Sequence, residues 1–207
     1  MENPNNRLEV FSDGVFAIAL TILIIEIKVP PIDSVHSNRE LWIAFAHHWP
    51  SWVAFFISFI TILISWVGHD HLFKLIGKTS NKLIYANALL LMSIATMPFF
   101  TAVLAEYLGT GLAGPAITLY CAFSVLLSFA WVALENSAHY PESLFKPGIH
   151  VARVKKAYAY TKWGLVVNIT NILLSLWLPF VAFTIIVLLY VGWLFLGISL
   201  REDRMTV

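Results

Sequence analysis

Six apolar windows, each near the ~20 residues a helix needs to cross a hydrocarbon core, divide the chain at roughly 8–29, 49–72, 83–107, 113–134, 158–178 and 180–200. In lipid a backbone must satisfy its own N–H and C=O groups, so windows of this length have to be helical. Pro30-Pro31, the glycines Gly109 to Gly114 and Pro179 make the sharpest breaks, the last leaving a very tight hairpin. Hydrophobic residues form 59% of the 207 and charged residues only 12%, against roughly 25% charged in soluble domains. No sizeable soluble domain fits beside the spans. The expected fold is an all-α integral membrane protein, with residues 1–207 forming a single six-span domain. A net charge of +1 gives no reason to expect nucleic acid as a partner. The single cysteine, Cys121, lies in an apolar run and offers neither an intramolecular disulfide nor a cysteine metal site. Glu2 and the asparagines that follow do not resemble a cleavable signal.

Charge orients the spans. With the N-terminus cytoplasmic, the inside segments hold Arg7, then Lys74, Lys78 and Lys82, then Lys146, Arg153, Lys155, Lys156 and Lys162, and finally Arg201 and Arg204. Those are eleven of the 13 Lys and Arg, and only Lys28 and Arg39 fall outside. So strong a positive-inside bias puts both termini in the cytoplasm and independently requires an even number of spans.

Topology then gathers polar residues at one depth. Ser12 and Asp13 lie just inside the cytoplasmic end of the first span; Trp66, His69, Asp70 and His71 near that end of the second; Asn87 near that end of the third. An ionised carboxylate in a membrane helix costs a few kcal/mol on insertion scales, so Asp13 needs partners. An indole, imidazole or amide N–H would supply strong charge-assisted bonds, and a satisfied network would hold the three helices in register. His69 and His71 are two residues apart and share no helix face, so a hydrogen-bonding role is favoured over a metal site. His47-His48 is expected in the outer loop region, and Trp49, Trp52, Trp163 and Trp177 as interfacial anchors. Glu26, near the outer end, is expected either to concentrate cations at the mouth or to pair with Lys28 or Arg39.

At 100° per residue, Ile18, Thr21, Ile22, Ile25 and Val29 form one stripe, with Phe11 and Gly14 below it. Asp13 lies roughly 140° from Ile18 on the wheel, so it faces packed neighbours when the stripe faces something else. Periodicity alone leaves lipid, packing and pore faces open.

Arg7-x-x-x-Phe11-Ser12-Asp13, Trp66-x-x-His69 with Leu72-Phe73, and Asn87 followed by Pro98, Phe99 and Thr101 together resemble the bacterial members of the transmembrane protein 175 family of potassium channels. The specific motifs lie in the first three spans. One departure is Asp70, which stands between His69 and His71 where members often have His-His. The resemblance implies a cation channel with potassium preference, a homotetramer around a central pore lined by the first helix. It implies no cofactor beyond permeant potassium and other monovalent cations, and membrane lipids as surroundings. The family's narrow point lands on Ile18, and its other pore positions on Thr21 and Ile25. Ile18 and Ile25 are thus the candidate constrictions, and Thr21 with Ile22 the candidate lining. Arg7, Phe11, Ser12, Asp13, Trp66, His69 and Asn87 fall on the family's structural network rather than on a filter. Animal lysosomal members carry two fused repeats and this chain carries one copy of the motif, which implies a bacterial inner membrane.

No Thr-Val-Gly-Tyr-Gly loop exists, so a carbonyl cage of the usual kind is excluded. A ring of Ile18 side chains would gate by dewetting, and Thr21 hydroxyls about 4.5 Å further along the axis would be the first groups to replace lost water. A proton- or sodium-coupled secondary transporter is the main rival, but neither an inverted repeat nor an acidic residue near mid-span is evident. A membrane metalloenzyme and a purely structural protein stand further off.

Overall fold

The protein is described by a computed structural model covering residues 5–139, 144–149 and 151–202. The first helix, α1 (Asn6–Ile22), continues as a 3-10 turn over Leu23–Glu26. Ile27 is already extended, three residues ahead of Pro30, whose ring would clash with the Glu26 carbonyl in a continuing helix. The first span is therefore shorter as an α-helix than its apolar window.

A short helix, α2 (Asn38–His47), then intervenes before the second span. Ser37 caps it by accepting a bond from the Glu40 N–H at 3.2 Å, while the Glu40 carboxylate accepts from the His36 N–H at 2.7 Å. This is a capping box displaced by one residue. It corrects the expectation of a loop there: His47 ends α2, and His48 joins it directly to α3.

The long helices follow: α3 (Trp49–Leu75), α4 (Asn81–Tyr107), α5 (Ala113–His139), α6 (Val151–Ser175) and α7 (Pro179–Glu202). The Ser80 hydroxyl starts α4 by accepting from the Leu83 N–H. Pro179 stands at the first position of α7, where its missing N–H costs nothing. Among the described residues, α1 with its 3-10 turn, α3, α4 and α5 are long and apolar enough to cross a membrane. The α6 and α7 helices run 25 and 24 residues and form the hairpin that Pro179 announces. Both α5 and α6 outrun their apolar windows by one turn or more at the ends that face each other, carrying Glu135 and His139 into helix.

The α4 helix packs against α1, α3 and α5, and α5 packs in turn against α6 and α7. Ile62, Leu83, Leu90, Ile94, Met97 and Ile117 fill the dry centre without exposure. At one end the connection after α3 pairs with the segment before α6: the Gly77 N–H donates to Leu144 O at 2.8 Å and the Lys146 N–H to Leu75 O at 2.9 Å. The Asn5 amide donates to Ile76 O at the same end. These are connections that the charge bias assigns to a single side. Of the orienting charges, Arg204 lies outside the described residues, as do the side chains of Arg153, Lys155, Lys156 and Arg201.

Candidate functional site

The polar network assembles from one certain donor. Ser12 Oγ donates to Leu8 O at 2.8 Å, a bond within its own helix. Its lone pairs remain, and Asn87 Nδ2 donates to them at 3.0 Å. The Asn87 carbonyl oxygen must then face His69, whose Nε2 lies 2.9 Å away. An acceptor there requires the proton on Nε2, so the donor chain fixes the imidazole tautomer. All three side chains are buried. Helical spacing supplies the walls: Phe16, four residues after Ser12, meets the His69 ring edge-on at 5.5 Å, and Phe73, four residues after His69, stacks on it at 4.1 Å.

Asp13 belongs to a separate contact at the rim. Trp66 Nε1–H donates to Asp13 Oδ1 at 2.9 Å, and both residues are exposed. The wheel places Asp13 off the Ile18 stripe, yet at the α1–α3 edge rather than among packed neighbours. Arg7 and Phe11 are exposed beside it. Asp70 turns the other way and accepts from Lys74 at 2.6 Å, one helical turn along. His69 and Asp70 therefore serve different partners, and among the described residues no group of three or more His, Cys, Asp or Glu is placed to hold a metal.

The other face of α1 is open. Phe16, Ala19 and Leu23 anchor the helix to the subunit, while Phe11, Ile18, Ile22 and Ile25 point away from it, Ile18 at 60% exposure and Ile25 at 70%. The 3-10 turn does not pull Ile25 inward. Thr21 Oγ1 shares its proton between Ile18 O at 2.9 Å and Ala17 O at 3.1 Å. That donation ties the hydroxyl to the helix and leaves its oxygen lone pairs available on the open face. At the far end, Lys28 pairs with Glu106 of α4 at 3.2 Å rather than with Glu26. Glu26 instead lines a cleft with His47, His48 and Glu106.

Two features escaped the sequence reading. A buried hydroxyl cluster joins α3, α4 and α5, in which Thr101 Oγ1 donates to Ser58 Oγ at 2.6 Å and Ser58 lies 3.1 Å from the Tyr120 hydroxyl. Glu135, on α5, is buried and accepts from Thr161 Oγ1 at 2.7 Å. It fell one residue beyond the apolar window, although Glu135 and His139 at i, i+4 opposite Tyr158 and Thr161 at i, i+3 form a readable polar face.

The family model described as the endosomal/lysosomal potassium channel TMEM175 matches residues 7–98. A Streptomyces collinus protein named a potassium channel is 36% identical over 173 residues, 81% of this chain and 82% of its own length. A Chamaesiphon minutus protein, also named a potassium channel, is 36% identical over 180 residues, 86% of this chain and 88% of its own. In three dimensions the chain matches a crystal structure described as a lysosomal potassium-selective channel TMEM175 homolog from Chamaesiphon minutus, with a TM-score of 0.85 and 31% identity across 95% of this chain and 99% of that one. These relatives carry channel names, not those of enzymes, and they do not favour the coupled-transporter reading. With motifs, helices and relatives of near-equal length in agreement, the chain is a multi-pass membrane protein and belongs to the TMEM175 family.

Proposed function

We propose that this protein is a potassium-preferring cation channel of the bacterial inner membrane. In this reading six spans, α1 and α3 to α7, form each subunit with both termini cytoplasmic. Four subunits surround a central pore lined by α1. The potassium preference rests on the names of the bacterial relatives and of the structural match.

The observation that carries the reading is the unequal cover of the spans. Only 22% of the α1 window is buried within the subunit, against 39–44% for α3, α4 and α5. Of these four helices the one with the family's motif is thus the least covered, and its open face is the periodic stripe of Ile18, Thr21, Ile22 and Ile25. Four copies turned inward would enclose a path for an ion along this stripe. The Ser12–Asn87–His69 chain and the Asp13–Trp66 bond then act as positioning groups, fixing the rotation of α1 about its axis.

Within such a pore, four Ile18 side chains form an apolar ring. A narrow ring of this kind excludes water and so blocks ions without any charged gate. Opening widens it until a partly hydrated cation passes. Ile25, about 10.5 Å further along a regular helix, makes a second apolar level, and Thr21 with Ile22 lies between the two. The Thr21 oxygens are the first groups there that can replace lost hydration. One hydroxyl ring discriminates less sharply than stacked carbonyls, so the preference for potassium over sodium is modest.

Purified protein in a planar bilayer under a potassium gradient tests the reading. Discrete unitary currents are the expected result. Flux that occurs only with a proton or sodium gradient and saturates with substrate would overturn it in favour of coupled transport.

A further inference from the structure

The α1–α3–α4 network satisfies its buried polar atoms, and the seam between α5 and α6 does not. Among the described residues, the buried side-chain atoms without a protein partner are Glu135 Oε2, His139 Nδ1, Tyr158 OH, Asn168 Oδ1 and Asn171 Oδ1. Every one lies on α5 or α6. Glu135, Tyr158, Asn168 and Asn171 are each more than nine-tenths buried. Native interiors rarely leave such groups unpaired, and the usual partner when protein supplies none is ordered water.

The atoms fall into two groups. Toward the end where α5 and α6 are joined, the His139 and Tyr158 rings meet edge to face with centroids 6.3 Å apart. Glu135 sits one turn along α5 from His139 and is held by Thr161, three residues beyond Tyr158. The carboxylate oxygen accepts and the phenol O–H has a proton to donate, so a ligand that satisfies the two both donates and accepts. Further along α6, Asn168 Nδ2 donates to Ser128 Oγ at 2.8 Å and Asn171 Nδ2 to Ala182 O at 3.0 Å. Both amide carbonyls are left as unpartnered acceptors, roughly 10.5 Å (Asn168) and roughly 15 Å (Asn171) along a regular helix from the level of Thr161.

We propose that the α5–α6 seam binds water at two places, one among Glu135, His139 and Tyr158 and one between Asn168 and Asn171. A water molecule is the small ligand that donates to carboxylate and amide oxygens while accepting from a phenol, and buried waters make about three such bonds. The two helices thus dock through water along a seam whose ends are polar. The proposal is independent of the pore reading, since it concerns the interior of one subunit.

Electron cryomicroscopy of the protein in lipid nanodiscs, at a resolution that shows ordered water, tests this in wild type and Tyr158→Phe. The expected wild-type map holds a peak within hydrogen-bond reach of Glu135 Oε2, Tyr158 OH and His139 Nδ1, and a second against Asn168 and Asn171. In Tyr158→Phe the first peak is lost or shifted and the second stays. A wild-type map with no peak at either place, or with the five atoms bonded to other protein groups, overturns the proposal. Should the variant not fold, radiolytic hydroxyl-radical labelling of wild type gives an independent reading. Tyr158 is expected to label severalfold faster than Tyr190, which is as well buried but bonded to Ser124; equal rates count against bound water.

Discussion

Asn87→Ala removes the one residue through which α4 bonds to both α1 and α3 in the polar network. The two losses are unequal. Ser12 gives up only an accepted bond, because its own proton stays on Leu8 O. His69 loses the acceptor for its Nε2–H at a position 1% exposed, between Phe16 and Phe73. A buried donor left unpaired costs about 1–3 kcal/mol, while interhelical bonds in membrane proteins average about 0.6 kcal/mol each. The variant is therefore expected to lose about 1–3 kcal/mol, most of it at His69. Ser12→Ala strands the buried Asn87 Nδ2–H in the same way and should also lose about 1–3 kcal/mol. Equilibrium unfolding in mixed micelles against a denaturing detergent, followed by tryptophan fluorescence, measures both. An Asn87→Ala loss below about 0.6 kcal/mol, the average for one interhelical bond, would refute the bond order, and with it the assigned imidazole tautomer.

Three further outcomes are expected. Asp70→Asn should change stability by no more than about 0.5 kcal/mol in the same assay, since the Asp70–Lys74 pair is an exposed i, i+4 contact. Tyr120→Phe should cost about 1 kcal/mol, because it deletes one hydroxyl from the buried Ser58–Thr101 cluster and leaves the other two bonded. Thr21→Ala should bring the potassium and sodium permeabilities closer together in reversal-potential measurements, with folding unaffected, since its hydroxyl bonds only its own helix.

The sequence is most legible where a physical rule has a fixed period. The stripe on α1 follows from 100° per residue, and its members are exposed. The break at Pro179 follows from a missing N–H. Ser12, His69 and Asn87 share a depth once charge bias orients the spans, and they are the residues that bond. Asp13 shows the limit: the wheel gives its angle from Ile18 but not how far α3 wraps around α1, which leaves it at the rim with Trp66. Lys28 finds Glu106, 78 positions away, a pairing that only helix packing decides. The α2 helix was missed because an apolar window of membrane length passes over ten residues, although Ser37 and Glu40 mark its start. Glu135 was missed because a window edge at Leu134 treated it as loop, while its partner Thr161 lies on another helix.

The assignment of α1 to the pore is tested most directly by potassium flux from liposomes holding either wild type or Ile18→Asn. Ile18 is 60% exposed and holds no place in the subunit core, so the exchange leaves the fold intact. A polar ring wets a constriction that an isoleucine ring keeps dry, and the account predicts a severalfold rise in flux for the variant. Equal flux from two well-folded proteins would contradict it, moving the barrier off Ile18 and leaving the open face of α1 to lipid or to packing between subunits.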